Sequence, residues 1–205
     1  MSKIPVWAKM TPNITNIREP AQAAISGGAV GISAINTILS VIGVDLDTLR
    51  PMPTVEGHCV PGGYSAQAVR PIALRMVSQL ALAIPENVTI SGIGGIENSH
   101  DALEFLLLGS STVQICTGVM LQGVKMIDEL KEGVEKFMVD KGFNSVQEIV
   151  GKSLPYFSTH MDLVQKMKAA KRSKAGRRAA SGRGSGGCRG QRGGRRCSWS
   201  RRVRE

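Results

Sequence analysis

Aromatic residues are scarce: two Trp, two Tyr and four Phe make up 4% of the 205 residues. A core must then rest on Ile, Val, Leu, Ala and Met, within an apolar fraction of 42% that suits a globular domain. Cysteine is sparse too. Cys59, Cys116, Cys188 and Cys197 fall in no CxxC or other ligand spacing, which argues against a disulfide scaffold, a zinc site and an iron–sulfur ligand set. His58, His100 and His160 are too scattered to point to a metal. No apolar run reaches about 18 residues, so no membrane span is expected. Few cysteines and no signal peptide read as a cytoplasmic protein with reduced thiols.

Charge is present but unevenly spread. Residues 1–165 carry 11 Lys+Arg against 15 Asp+Glu, whereas residues 166–205 carry 15 against one acid, Glu205. The net +10 therefore belongs to the C-terminal segment, and the rest is mildly acidic. That segment is rich in Arg, Gly and Ser and has almost no large apolar residues, so its burial cannot offset its ordering entropy. Residues 1–165 are read as the folded domain and 166–205 as a disordered basic tail. The "GRGSGG" and "RGQRGG" stretches resemble RNA-binding segments, but Trp199 alone interleaves as an aromatic. A solvated tail, or translation in a shifted frame, accounts for the same composition, and nucleic acid is not the favoured partner.

Before the tail, strand and helix patterns alternate four times. Strands are expected over 4–11, 29–37, 87–96 and 111–118, and helices over 17–28, 68–84, 98–109 and 123–142, with a short helix at 145–151. A long loop, roughly 38–68, separates the second strand from its helix. Repeated βα units require a parallel sheet with right-handed crossovers. The Gly-rich turn stands in the third unit rather than the first, against a dinucleotide-binding order. Two neighbouring strands end in small-residue turns, "GIGG" and "CTGVM", as where barrels hold phosphate after strands 7 and 8. The fold class is therefore read as α/β, the C-terminal half of a TIM (β/α)8 barrel with four βα units. The abrupt start, directly into a strand, is read as a missing upstream half.

Functional residues are then sought at strand C-termini. Lys9 ends the first strand, where a cation can stabilise an anionic ring, although a solvated lysine fits there equally. Asn36 and Thr37 end the second, and their amide and hydroxyl can bind a planar heterocycle or simply build a turn. Residues 91–96, "SGIGGI", offer unobstructed backbone N–H groups before a helix start, and Cys116, Thr117 and Gly118 repeat the device one unit later. Cys116 itself is read as buried and inert.

Residues 5–165 resemble the flavin domain of the dihydropyrimidine dehydrogenase family. The resemblance rests on "AKMTPNITNI" (8–17), "GGAVGISAINT" (27–37), "GGYSAQAVRPIALR" (62–75), "SGIGGIENSHDALEFLLLG" (91–109) and "VQICTGVM" (113–120). It implies an FMN-binding barrel that reduces uracil or thymine to the 5,6-dihydropyrimidine. Lys9, Ala66, Ile93, Gly94, Gly95, Cys116 and Thr117 match cofactor-contacting positions, and Asn36 and Thr37 match the substrate pair. Ala66 stands where some members have glycine. The family's general-acid cysteine precedes the first strand here, so no catalytic residue is expected on this chain, and no metal site. The resemblance places iron–sulfur clusters and FAD in the complete enzyme but not on this chain, and supplies electrons from NAD(P)H through a partner subunit or domain. An incomplete barrel is expected to have little activity alone. A dihydroorotate dehydrogenase-like flavoenzyme fragment, or a non-catalytic protein binding RNA through its tail, are the alternatives.

Overall fold

The computed structural model describes residues 3–181. In chain order these form β1 (Trp7–Met10), α1 (Arg18–Ser26) and β2 (Gly31–Ala34). The strands β3 (Ile38–Ser40), β4 (Gly43–Asp45), β5 (Arg50–Met52) and β6 (Gly62–Tyr64) follow, and then α2 (Arg70–Ala81), β7 (Thr89–Ile93) and α3 (Ser99–Leu107). Last come β8 (Thr112–Gln114), α4 (Thr117–Gln122), α5 (Met126–Lys141) and α6 (His160–Ser181).

Four strands make one parallel sheet in the order β1-β2-β7-β8, the arrangement that four successive βα units require. Lys9, Ser33, Ser91 and Thr112 stand in one register row across it. Side chains alternate across a strand, so Ile32 and Ile90, one residue earlier, face the opposite side. There they pack with Ala73, Met76, Val77 and Leu80 of α2 and Phe105 of α3, all essentially fully buried. Burying aliphatic side chains of this size is worth about 1.5–3 kcal/mol each, and this layer fixes the strand ends on which any site must be built.

The helices follow their local chemistry. Pro71 occupies the first turn of α2, where its missing N–H costs nothing. Asn98 caps α3 by accepting the Asp101 N–H, and Asp101 returns the bond in a capping box. Gly142 ends α5 in the left-handed conformation.

Three expectations are refined. The stretch read as a loop over 38–68 holds two antiparallel ribbons, β3 with β6 and β4 with β5. Each strand is three residues long, too short for a periodic signal. The fourth sheet strand stops at Gln114, not at residue 118, and Thr117 already opens α4. The segment read as disordered from 166 is helical through residue 181 within α6, because its Lys, Arg and Ala residues are strong helix formers. The remaining tail, 182–205, including Cys188 and Cys197, lies outside the described residues. Residues 1–157 form one compact unit and α6 belongs to a second. No described helix is long and apolar enough to cross a membrane.

Candidate functional site

The parallel sheet sends all four strand C-termini to one end, and a cavity of about 270 Å³ opens there. Lys9 from the end of β1, Asn36 and Thr37 after β2, and Ala66 ahead of α2 all line it. So do Ile93, Gly94 and Gly95 at the end of β7, and Cys116 and Thr117 after β8. All nine residues matched to cofactor or substrate positions thus share one cavity. Cys116 departs from its expected environment: it is exposed within the cavity rather than buried, because β8 has ended and the chain is turning into α4.

Backbone hydrogen bonds pin the β2 end. The Ile35 N–H donates to the Ile93 carbonyl at 2.9 Å, and the Asn36 N–H donates to the Met10 carbonyl at 2.9 Å. Asn36 Oδ1 then accepts the Thr37 N–H at 2.9 Å, which leaves its NH2 group with no partner among the described residues. A staple that sequence reasoning missed comes from Asn13, after β1. Its Nδ2 donates to the Thr37 carbonyl at 3.2 Å, and its Oδ1 accepts the Leu39 N–H at 2.9 Å. An Asn directly after Thr-Pro reads as a turn residue, and nothing in the local pattern marks its long-range partners.

The Gly-rich turn is shaped by packing. Gly94 has φ +142° and Gly95 φ +75°. A Cβ on Gly95 would come within 2.6 Å of the Ala66 carbonyl oxygen and 3.0 Å of the Gln67 Cα. On Gly118 it would come within 2.7 Å of the Ile96 carbonyl oxygen, so the two small-residue turns lie directly against each other. Among the described residues, no protein acceptor takes the N–H of Gly94, Gly95, Thr117 or Gly118. These four residues all line the cavity, and N–H groups without a protein acceptor are the donor set a phosphate monoester requires.

Beneath the cavity, Gln114 Nε2 donates to the hydroxyls of Ser33 at 3.0 Å and Ser91 at 2.8 Å. Ser65 shares a 3.2 Å hydrogen bond with the Thr117 hydroxyl. Gln114 and Ser65 both line the cavity and were missed. Gln114 read as an ordinary strand residue, and Ser65 sat in the stretch read as loop. His100, Asp101 and Glu104 cluster on α3 outside the cavity, but Arg70 already pairs with both carboxylates.

The dihydroorotate dehydrogenase family description matches residues 1–138, well over half of the chain. The chain belongs to the dihydroorotate dehydrogenase family. Its four βα units are accordingly part of that family's (β/α)8 barrel. Within the family it is 53% identical over 171 residues to the chloroplastic dihydropyrimidine dehydrogenase (NADP(+)) of Arabidopsis thaliana. That match covers 82% of this chain and 40% of the relative. It is 48% identical over 152 residues to the NAD-dependent dihydropyrimidine dehydrogenase subunit PreA of Escherichia coli (strain K12), covering 73% and 37%. To the catalytic subunit of dihydroorotate dehydrogenase B (NAD(+)) of Pyrococcus abyssi it is 44% identical over 150 residues, covering 73% and 48%. The chain thus spans less than half the length of these relatives.

Proposed function

We propose that this chain supplies one half of an FMN site to an enzyme that reduces uracil or thymine to the 5,6-dihydropyrimidine. The observation that carries the reading is the convergence on one cavity of eight residues from four strand ends and of Ala66 from the segment ahead of α2, together with 53% identity to a dihydropyrimidine dehydrogenase.

The residues fit the cofactor. The free N–H groups of Gly94, Gly95, Thr117 and Gly118 hold the phosphate, with the Thr117 hydroxyl beside them. Val69, Ile93 and Ile96 line the cavity with apolar surface and exclude water from the ring. The Lys9 ammonium offsets negative charge on the ring side, at the end of β1. The unpartnered Asn36 NH2 and the Thr37 hydroxyl are donors for the carbonyl oxygens of a pyrimidine. Bound FMN supplies the hydride chemistry, and the protein supplies position and electrostatics. The proton donor lies outside this chain, as does the route for electrons from NAD(P)H through FAD and iron–sulfur clusters on a partner subunit or domain.

A second reading is favoured by the family description and by the Pyrococcus relative: the same cavity oxidising dihydroorotate. One experiment separates the two. The chain is joined to the part of the Arabidopsis relative outside the matched region, and the chimera is assayed for flavin content and for turnover of uracil, thymine and dihydroorotate. Stoichiometric FMN with uracil and thymine turnover is expected. Turnover of dihydroorotate alone would reverse the substrate assignment, and a flavin-free, folded chimera would end the FMN reading.

A further inference from the structure

Asp101 is the most thoroughly enclosed carboxylate of the described chain, 1% exposed, and it does not line the cavity. A capping box at the start of α3 needs it to accept only the Asn98 N–H, which it does at 3.2 Å. It does more. The same Oδ2 accepts the Glu97 N–H at 2.9 Å, and Oδ1 forms an ion pair with Arg70 Nη1.

Those extra bonds reach both walls of the phosphate cradle. Glu97 is two residues beyond Gly95, so the Asp101 carboxylate grips the C-terminal end of the Gly-rich turn. Arg70 opens α2, and its Cβ would lie 3.0 Å from a Cβ on Gly95. Glu97 is tied again from both sides: Gln67 Nε2 donates to its carboxylate at 2.8 Å, and Gln122 Nε2 at the end of α4 donates to its carbonyl at 3.2 Å. The start of α2, the β7–α3 turn and α4 thus meet at one short segment, anchored from beneath by a single buried charge.

We infer that Asp101, through Glu97 and Arg70, is the positioning residue that holds the Gly94–Gly95 amides in phosphate-binding geometry and so sets the preference for phosphorylated over unphosphorylated flavin. This rests on the FMN reading of the cavity. Removing the charge leaves Arg70 without its buried partner and loosens the turn, while the apolar cavity walls that meet a flavin ring are untouched.

The test compares FMN with riboflavin, by flavin fluorescence quenching, on the full chain and its variants. The unaltered chain binds FMN at least tenfold more tightly than riboflavin. Asp101→Asn lowers that ratio by tenfold or more while riboflavin affinity stays within about threefold. Arg70→Lys, which keeps the charge but not the paired geometry, lowers the ratio in the same direction. Asp128→Asn removes an equal charge from the exposed face of α5 and leaves the ratio unchanged. A ratio preserved in Asp101→Asn, or equal losses for both flavins, overturns the positioning role. If Asp101→Asn does not fold by far-ultraviolet circular dichroism, Arg70→Lys decides on the same criterion. A ratio near one in the unaltered chain overturns the FMN reading itself.

Discussion

Gly95 and Ala66 approach so closely that a Cβ on Gly95 would stand 2.6 Å from the Ala66 carbonyl oxygen. The β7–α3 turn and the segment that leads into α2 therefore lie in contact at the backbone level. The proposed phosphate cradle depends on that contact, since residues bare enough to let the two backbones meet also leave N–H groups without protein acceptors.

Gly95→Ala should accordingly be costly. It forces a side chain onto φ +75° and drives it into backbone atoms that cannot turn aside. A loss of about 3 kcal/mol is expected, combining overpacking with the left-handed penalty. Gly142→Ala, at φ +72° and ψ 32° with nothing within 4 Å, isolates the left-handed backbone part and should cost about 1 kcal/mol. Urea denaturation of both variants checks the difference.

Ala66→Gly should stabilise the fold. Ala66 has φ +68° and ψ −161°, a region that glycine adopts readily and alanine does not. Relief of a strain of about 1–3 kcal/mol outweighs the extra entropy of an unfolded glycine. A net gain of about 1 kcal/mol, read as a raised midpoint of thermal unfolding, is the expected outcome.

Asn13→Ala should free the loop after β2. It removes the bonds to the Thr37 carbonyl and the Leu39 N–H, which between them are worth about 1–2 kcal/mol. Hydrogen exchange should quicken at Leu39, whose amide loses its acceptor, and stay unchanged at Ile32 in the sheet.

Helix α6 should lose its N-terminal turn in acid. The Thr159 hydroxyl donates to Asp162 at 2.6 Å and holds its carboxyl below the ordinary carboxylate range, with the Thr159 backbone N–H adding to the effect. A lowered pKa in the folded state means that the stabilisation is present above the unfolded value and disappears as pH falls through the folded one. Circular dichroism of a peptide spanning 157–181 should show helicity declining below about pH 4, a decline that Asp162→Asn abolishes.

The long elements and the strand-end positions were legible in the sequence because each has a local signal. β-branched runs mark β2 and β7, and the Asn98–Asp101 spacing marks the start of α3. The nine cavity residues were legible because small-residue turns follow strands at recurring positions, and because the set resembles a known family. What stayed hidden depends on long-range contacts. The bridges of Asn13 to residues 37 and 39, the reach of Gln114 to Ser33, and the grip of Asp101 on Arg70 join positions 24 to 81 residues apart. The ribbons β3–β6 and β4–β5 are too short for periodicity to reveal. Helix α6 was read by its disorder-like charge rather than by the helix propensity of the same Lys, Arg and Ala residues.

The central claim is that the paired turns after β7 and β8 hold the flavin phosphate. Hydrogen exchange of the full chain, with and without saturating FMN, tests it most directly. Slowed exchange is expected at Gly94, Gly95, Thr117 and Gly118, with α5 unaffected. Slowing confined to other parts of the chain, with these four amides unchanged at saturation, would contradict it.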